Sequence, residues 1–329
     1  MKHGGDLTEA MAQYGGDAAA WLDLSTGINP WPWPIIDLPD SVWRQLPSRA
    51  AEQALLAAAR TAYRVPEGID IVAAAGTQAL IQWLPYLAAP GPVAVLGPTY
   101  SEHASAWRDA GHEVIAIDDL AALPANAVHA VIVNPNNPDG RIADHAELAD
   151  VAARLRQRGG WLVIDEAFAD VDPAIGAVAL CAHWPVVILR SFGKFYGLAG
   201  LRLGFAIGAP EIARRIATAL GAWAVSGPAL HVGTAALNDA VWADRMRERL
   251  ASRAKQLDGV LTHSRCEIIG GTSLFRLVRH REALKLHAEL ARRQIWCRRF
   301  DYADGWLRFG LPPDDRALDR LAAALKPSS

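Results

Sequence analysis

Lys194 stands in the stretch Ser191-Phe-Gly-Lys-Phe-Tyr-Gly-Leu-Ala-Gly-Leu-Arg-Leu-Gly204, where glycines and aromatics surround one amine and Arg202 follows eight residues later. An amine that is partly desolvated and close to another cation keeps enough neutral form to attack a carbonyl, so these surroundings suit a Schiff-base lysine. A surface lysine on a glycine-rich loop is the plainer reading of Lys194 taken alone. A second stretch has its own chemistry. The apolar run at 69–75 ends in Gly76-Thr-Gln78 ahead of a helix-like stretch at 79–87, and a strand-turn-helix unit leaves backbone N–H groups at the turn that attract anions. An ordinary turn capped by Thr77 also fits that tripeptide. Asp165, at the end of Trp161-Leu-Val-Ile164, is either a buried functional carboxylate or a helix cap.

These residues need elements to hold them. Short apolar runs at 93–96, 113–117, 127–133, 161–164, 186–189 and 203–207 alternate with helix-like stretches at 102–110 and 143–157, after an Ala/Leu-rich helix at 49–63. Strands alternating with helices imply a mainly parallel sheet covered on both faces, an α/β fold whose site lies at the carboxyl ends of the strands. Asn134 to Gly140, Asp165 and Ser191 to Lys194 all follow such ends. From about residue 228 the pattern changes to one long helix at 231–261, strands at 267–269, 273–278, 295–297 and 306–309, and helices at 282–293 and 315–325. Residues 1–45 are rich in Gly, Pro and Trp with little periodicity and read as an irregular arm that needs a surface to lie on. The expected organisation is therefore an arm (1–45), a large domain (46–228) and a small α+β domain (229–329).

Composition narrows the function. The 329 residues are 51% hydrophobic, ample for a sizeable core, and the net charge of −2 with interspersed signs gives no footprint for nucleic acid or anionic lipid. The start, MKHGGDLTEA, has no apolar core of signal-peptide length and no run reaches the roughly 18 apolar residues of a membrane span, so a cytoplasmic protein is expected. Cys181, Cys266 and Cys297 are far apart and odd in number, which supports neither a disulfide framework nor a metal site. They read as buried apolar fillers. Twelve tryptophans lack interleaved basic residues and read as core or interface residues rather than a stacking platform. Dinucleotide, P-loop and HExxH fingerprints do not occur.

Ser-x-x-Lys194 with Arg202, Asn134-Pro-Asn-Asn-Pro-Asp-Gly140 and Asp165-Glu-Ala-Phe168 together resemble the fold-type I pyridoxal-phosphate (PLP) enzymes of the aspartate aminotransferase superfamily. The resemblance covers nearly the whole chain. His3-Gly-Gly-Asp6, Leu22-Asp-Leu-Ser-Thr-Gly-Ile-Asn-Pro30 and Gly97-Pro-Thr-Tyr-Ser-Glu-His103 are similar to one branch, the threonine-phosphate decarboxylases of cobalamin biosynthesis. It implies a large PLP-binding domain, a small C-terminal domain, an N-terminal arm and a homodimer. It implies pyridoxal 5'-phosphate on Lys194, with Asp165 beside the ring nitrogen, Tyr100 over the ring and Asn137 on the ring oxygen. Gly76, Thr77, Gln78, Ser191 and Arg202 fall at the cofactor phosphate. His3, Asn29, Asn137 and Arg308 fall at the substrate, with Arg298 and Arg299 as further candidates for its phosphate.

Two departures stand out. Phe168 occupies a position where many aminotransferases have a tyrosine, which removes one hydrogen bond to the ring oxygen. Around Arg44-Gln-Leu-Pro47 no tyrosine is present for a neighbouring subunit's cofactor phosphate. The branch implies decarboxylation of L-threonine O-3-phosphate. An amino-acid aminotransferase such as histidinol-phosphate aminotransferase is the nearest alternative, because the orientation of the substrate carboxylate decides which bond at Cα breaks. A non-catalytic PLP-binding module is disfavoured, since such regulators carry an added DNA-binding domain.

Overall fold

Runs of consecutive apolar, largely β-branched residues form strands that are buried from end to end, the signature of a sheet covered on both faces. In the computed structural model, which describes residues 4–326, the strands in chain order are β1 (Leu22–Leu24), β2 (Asp70–Ala74), β3 (Val93–Leu96), β4 (Val114–Ile117), β5 (His129–Val133), β6 (Leu162–Asp165), β7 (Val186–Ser191), β8 (Gly204–Gly208), β9 (Glu267–Thr272), β10 (Phe275–Arg279), β11 (Ile295–Phe300) and β12 (Ala303–Gly310). The chain divides into two compact units. One comprises Trp33–Asn137 and Arg141–Ala243; the other comprises the residues up to Pro32, Pro138–Gly140 and those from Asp244 onward.

The first unit holds a seven-stranded sheet in the order β2-β8-β7-β6-β5-β3-β4. Strands β3 to β7 run parallel, and β8 is antiparallel to both β7 and β2. The reversed strand has a consequence for the site. Gly204, which begins β8, pairs with Ser191 at the end of β7 and with Ala74 at the end of β2. Arg202 therefore reaches the same edge of the sheet as the carboxyl ends of its neighbours. Every residue of β5, β6 and β7 is buried. On one face Val131, Val163, Val187 and Leu189 pack with Leu80, Leu84, Trp107 and Ile216 of the covering helices.

In the second unit five strands follow the order β1-β11-β12-β10-β9, with β1 parallel to β11 and the other pairs antiparallel. The helix Ala283–Arg292 covers β11 and β12. Two sequence expectations change here. Residues 22–24, expected to be irregular, form an edge strand because Leu22 and Leu24 bury on one face in register with Ile295 and Cys297. The stretch 231–261 is not one helix: Gly227–Leu237 ends at Asn238, and Ala240–His263 starts after Asp239, whose Oδ1 accepts the Trp242 N–H at 3.0 Å. A local cap competes there with helix continuation. The tryptophans also differ in burial, from Trp107 at 1% exposed to Trp43 at 66%.

Candidate active site

Asp165 ends β6, and its carboxylate is enclosed by core. Oδ1 accepts the Ala167 N–H at 3.0 Å and Oδ2 accepts from His103 Nε2 at 2.9 Å, with both side chains at most 4% exposed. His103 lies in the first turn of the helix Glu102–Asp109. In the sequence His103 only closes the loop motif Gly97–His103, which assigns it no role. The one available signal was its spacing of three from Tyr100, which puts both on one face of a helix start. Their rings meet edge to face with centroids 6.2 Å apart.

Tyr100 is held in turn. Its Oη donates to Gln78 Oε1 at 3.2 Å, and Gln78 Nε2 donates to Glu102 Oε2 at 3.0 Å. The Gln78 side chain is thus committed to aiming Tyr100, leaving its backbone N–H for an anion. Asn136 joins the loops after β3 and β5, accepting from Thr99 Oγ1 at 2.6 Å and donating to the Pro98 carbonyl at 3.0 Å. That bridge fixes the segment carrying Asn137. Sequence reasoning missed it because both partners lie on another loop.

The anion turn differs in detail from expectation. Thr77 is the first residue of the helix Thr77–Leu87 rather than its cap, and Gly76 takes the cap position with φ 84° and no side-chain hydrogen bond. The first N–H groups of that helix have no intrahelical acceptor, and the helix dipole favours a negative charge there. A Cβ at Gly76 would come within 2.7 Å of Arg202 Nη2, so only glycine allows the guanidinium this close. Arg202 itself is left-handed at φ 53° and its Nη1 donates to the Ala199 carbonyl at 3.1 Å. Such a conformation costs a non-glycine residue on the order of 1 kcal/mol and persists where its surroundings impose it. Ser191, at the end of β7, is 8% exposed. An open helix start, a guanidinium and a nearby hydroxyl fit a phosphate dianion.

Lys194 projects from the single turn Phe192–Phe195 that follows β7 directly. A Cβ at Gly193 would lie 2.6 Å from Ala199 Cα, so the turn is packed hard against the segment leading to Arg202. The amine lies 5.9 Å from the centroid of the Phe168 ring, and Tyr196 is stacked between Phe192 and Trp242 at 4.4 and 5.5 Å. In this unit one sheet edge therefore gathers Gly76, Thr77, Asp165, Ser191, Lys194 and Arg202, with Gln78, Tyr100 and Asn137 on the adjoining loops and helix start.

The second unit carries the other candidates. Arg308 is 7% exposed, donates from Nη2 to the Ser25 carbonyl at 2.8 Å and lies opposite Arg298 in the β11–β12 register. Burial first, then the charge of Arg298, lower its pKa to about 10, against the opposing pull of Tyr302 and Asp23. Asn29, 2% exposed, accepts the Trp31 N–H at 2.9 Å. His3 lies outside the described residues. Among the described residues no cluster of His, Cys, Asp and Glu could hold a metal ion, and no helix is long and apolar enough to cross a membrane. Burial raises the pKa of Cys181 to about 12 and of Cys266 to about 11, so neither is a reactive thiolate.

The fold and this site define a class, and residues 46–325 match the model of the aminotransferase class I and II family, to which the chain belongs. It is 43% identical over 328 residues to a threonine-phosphate decarboxylase of Pseudomonas aeruginosa, covering 99% of this chain and 97% of that protein. It is also 43% identical to a threonine-phosphate decarboxylase of Sinorhizobium, over 98% and 97% of the two chains. In structure it resembles the histidinol-phosphate aminotransferase of Sinorhizobium meliloti in complex with pyridoxal-5'-phosphate. The TM-score is 0.83 at 20% identity, covering 98% of this chain and 93% of that one.

Proposed function

We propose that the protein is a PLP-dependent decarboxylase that converts L-threonine O-3-phosphate to (R)-1-amino-2-propanol O-2-phosphate and carbon dioxide in cobalamin biosynthesis. The observation that carries this reading is the identity of 43% along almost the entire length of two threonine-phosphate decarboxylases. The histidinol-phosphate aminotransferase shares the fold at 20% identity and supports no more than the fold.

Bound PLP supplies an electron sink for the electron pair left at Cα when the carboxylate departs. The chain's own groups do the rest. Lys194 Nζ is the amine that carries the cofactor and is suited to return a proton to Cα, so that the carboxylate lost as carbon dioxide is replaced by hydrogen. Asp165, aimed by His103 and the Ala167 N–H, presents a carboxylate that keeps the ring nitrogen protonated. The start of the helix Thr77–Leu87, with Ser191 and Arg202, binds the cofactor phosphate. Tyr100 and Asn137 orient the ring. Arg308 and Asn29, with His3, are assigned to the acidic groups of the substrate, for which a buried guanidinium is well matched.

The reading extends to assembly and location. The unit with the large sheet exposes Ile35, Trp43, Leu46 and Trp223, each more than 60% accessible, and the short helix Asp40–Arg44, which carries Trp43, packs on the helix Gly227–Leu237. A second copy of the chain covers these exposed apolar side chains in a homodimer, and sedimentation showing an active monomer would refute it. The enzyme works in the cytoplasm on a small phosphorylated amino acid. Substrate choice tests the reading. kcat/KM for O-phosphothreonine should exceed that for threonine by at least 100-fold, and equal values would contradict it.

A further inference from the structure

Arg190 immediately precedes Ser191, and Glu166 immediately follows Asp165. Side chains alternate across a strand, so this pair lies on the opposite face of the sheet from Asp165 and Ser191. Their main chains are joined, because the Glu166 N–H donates to the Leu189 carbonyl at 2.8 Å. The Arg190 guanidinium spans two carboxylates, with Nη1 at 2.6 Å from Glu166 Oε2 and Nη2 at 2.7 Å from Asp170 Oδ1. Glu166 Oε1 accepts the Ala177 N–H at 2.5 Å, and the guanidinium carbon lies 4.5 Å from the Tyr63 ring centroid. All three charged side chains are at most 7% exposed.

Stability alone is a poor explanation for such a cluster, since burying charges costs much of what their attraction returns and apolar replacements are often neutral or better. Burial raises the Glu166 pKa against the pull of Arg190. Burial also opposes the Arg190 charge, and Asp170 and Glu166 outweigh it. What the cluster does provide is geometry. A planar guanidinium donates to two carboxylates only at set distances and angles, and the cluster sits beside the residues proposed to hold the cofactor. Glu166 adjoins Asp165, Asp170 follows Asp165 by five residues, and Arg190 is four residues before Lys194.

We infer that Arg190, Glu166 and Asp170 are positioning residues that set the spacing between the Asp165 carboxylate and the Lys194 amine from the reverse side of the sheet, without touching cofactor or substrate. This rests on the reading of Asp165 and Lys194 as the cofactor's anchors. A displacement of about 1 Å in such a pair is enough to lower a rate by on the order of 100-fold.

The test uses the holoenzyme and the variants Glu166→Gln and Arg190→Lys. Glu166→Gln keeps the size but removes the charge and one of the two accepting oxygens that serve Ala177 and Arg190, and Arg190→Lys keeps the charge but removes the guanidinium fork. The readouts are the PLP dissociation constant from the absorbance of the lysine-bound cofactor, kcat and KM for O-phosphothreonine, and the thermal midpoint of the apoprotein. The inference expects weakening of PLP binding and loss of kcat by tenfold or more, with KM within twofold and a midpoint near that of wild type. Binding and kcat within twofold of wild type in either folded variant would overturn it. So would losses that only track the midpoint, or failure of both variants to fold, since the cluster would then be structural. Borohydride reduction of the wild-type holoenzyme separates the two levels. A pyridoxyl label away from Lys194 sinks the site reading itself, whereas a label on Lys194 with unchanged variants sinks only the positioning role.

Discussion

His103 and Asp165, 62 residues apart in the chain, meet at 2.9 Å inside the core, and the ring of one donates to the carboxylate of the other. A buried carboxylate with a fixed partner keeps its orientation without solvent. Asp165→Asn should leave cofactor bound and reduce kcat by at least 100-fold. His103→Phe should reduce kcat about tenfold, the size expected for a group that aims another. In the double variant the two losses should not add, because His103 acts through Asp165. Steady-state kinetics with cofactor saturation checked by absorbance decide this, and additive losses would mean that His103 acts elsewhere.

Gly76→Ala puts a methyl group into the space beside Arg202 Nη2 and a side chain on a residue at φ 84°. PLP affinity should fall by tenfold or more. Stability of the apoprotein should fall by about 1–2 kcal/mol, the usual penalty for alanine at positive φ. Fluorescence titration with PLP and chemical denaturation measure the two separately.

Phe168 faces the Lys194 amine with a ring and no hydroxyl. Phe168→Tyr should supply a donor at the position the resemblance assigns to the cofactor's ring oxygen, favouring the deprotonated form of the lysine-bound cofactor. The pH midpoint of the visible absorbance should therefore move down relative to wild type. An unchanged midpoint would place residue 168 out of reach of the ring.

His287 is buried with Nε2 donating to the Cys297 carbonyl at 3.1 Å, and burial lowers its pKa from 6.5 to about 4. The unfolded chain binds this proton more readily, so the contribution of His287 to stability is present above pH 6.5 and is lost as the pH falls toward 4. The loss by pH 5 should be on the order of 1–2 kcal/mol. His287→Gln, which can still donate to the carbonyl, should show a shallower fall of its urea midpoint across that window.

Much of the candidate site is legible in the chain because its parts are local. Lys194, Asp165 and the Gly76 turn each sit at the end of a short apolar run, and a strand end is visible wherever β-branched residues stop. What could not be read comes from pairing at a distance. Leu22–Leu24 has no strand signal of its own and becomes one through β11. His103, Asn136 and Arg190 take their roles from partners on other elements. The break at Asn238 depends on one cap at Asp239 outweighing the helical pattern around it, and Thr77 has the residue type of a cap although Gly76 holds that position.

The reaction type is the central claim, and one incubation addresses it. Purified holoenzyme is mixed with L-threonine O-3-phosphate, with and without 2-oxoglutarate, and carbon dioxide and glutamate are followed together. The account predicts one equivalent of carbon dioxide per aminopropanol phosphate formed, independent of the keto acid, and no glutamate. Glutamate that appears only when 2-oxoglutarate is present, without carbon dioxide, would contradict it and make the enzyme an aminotransferase.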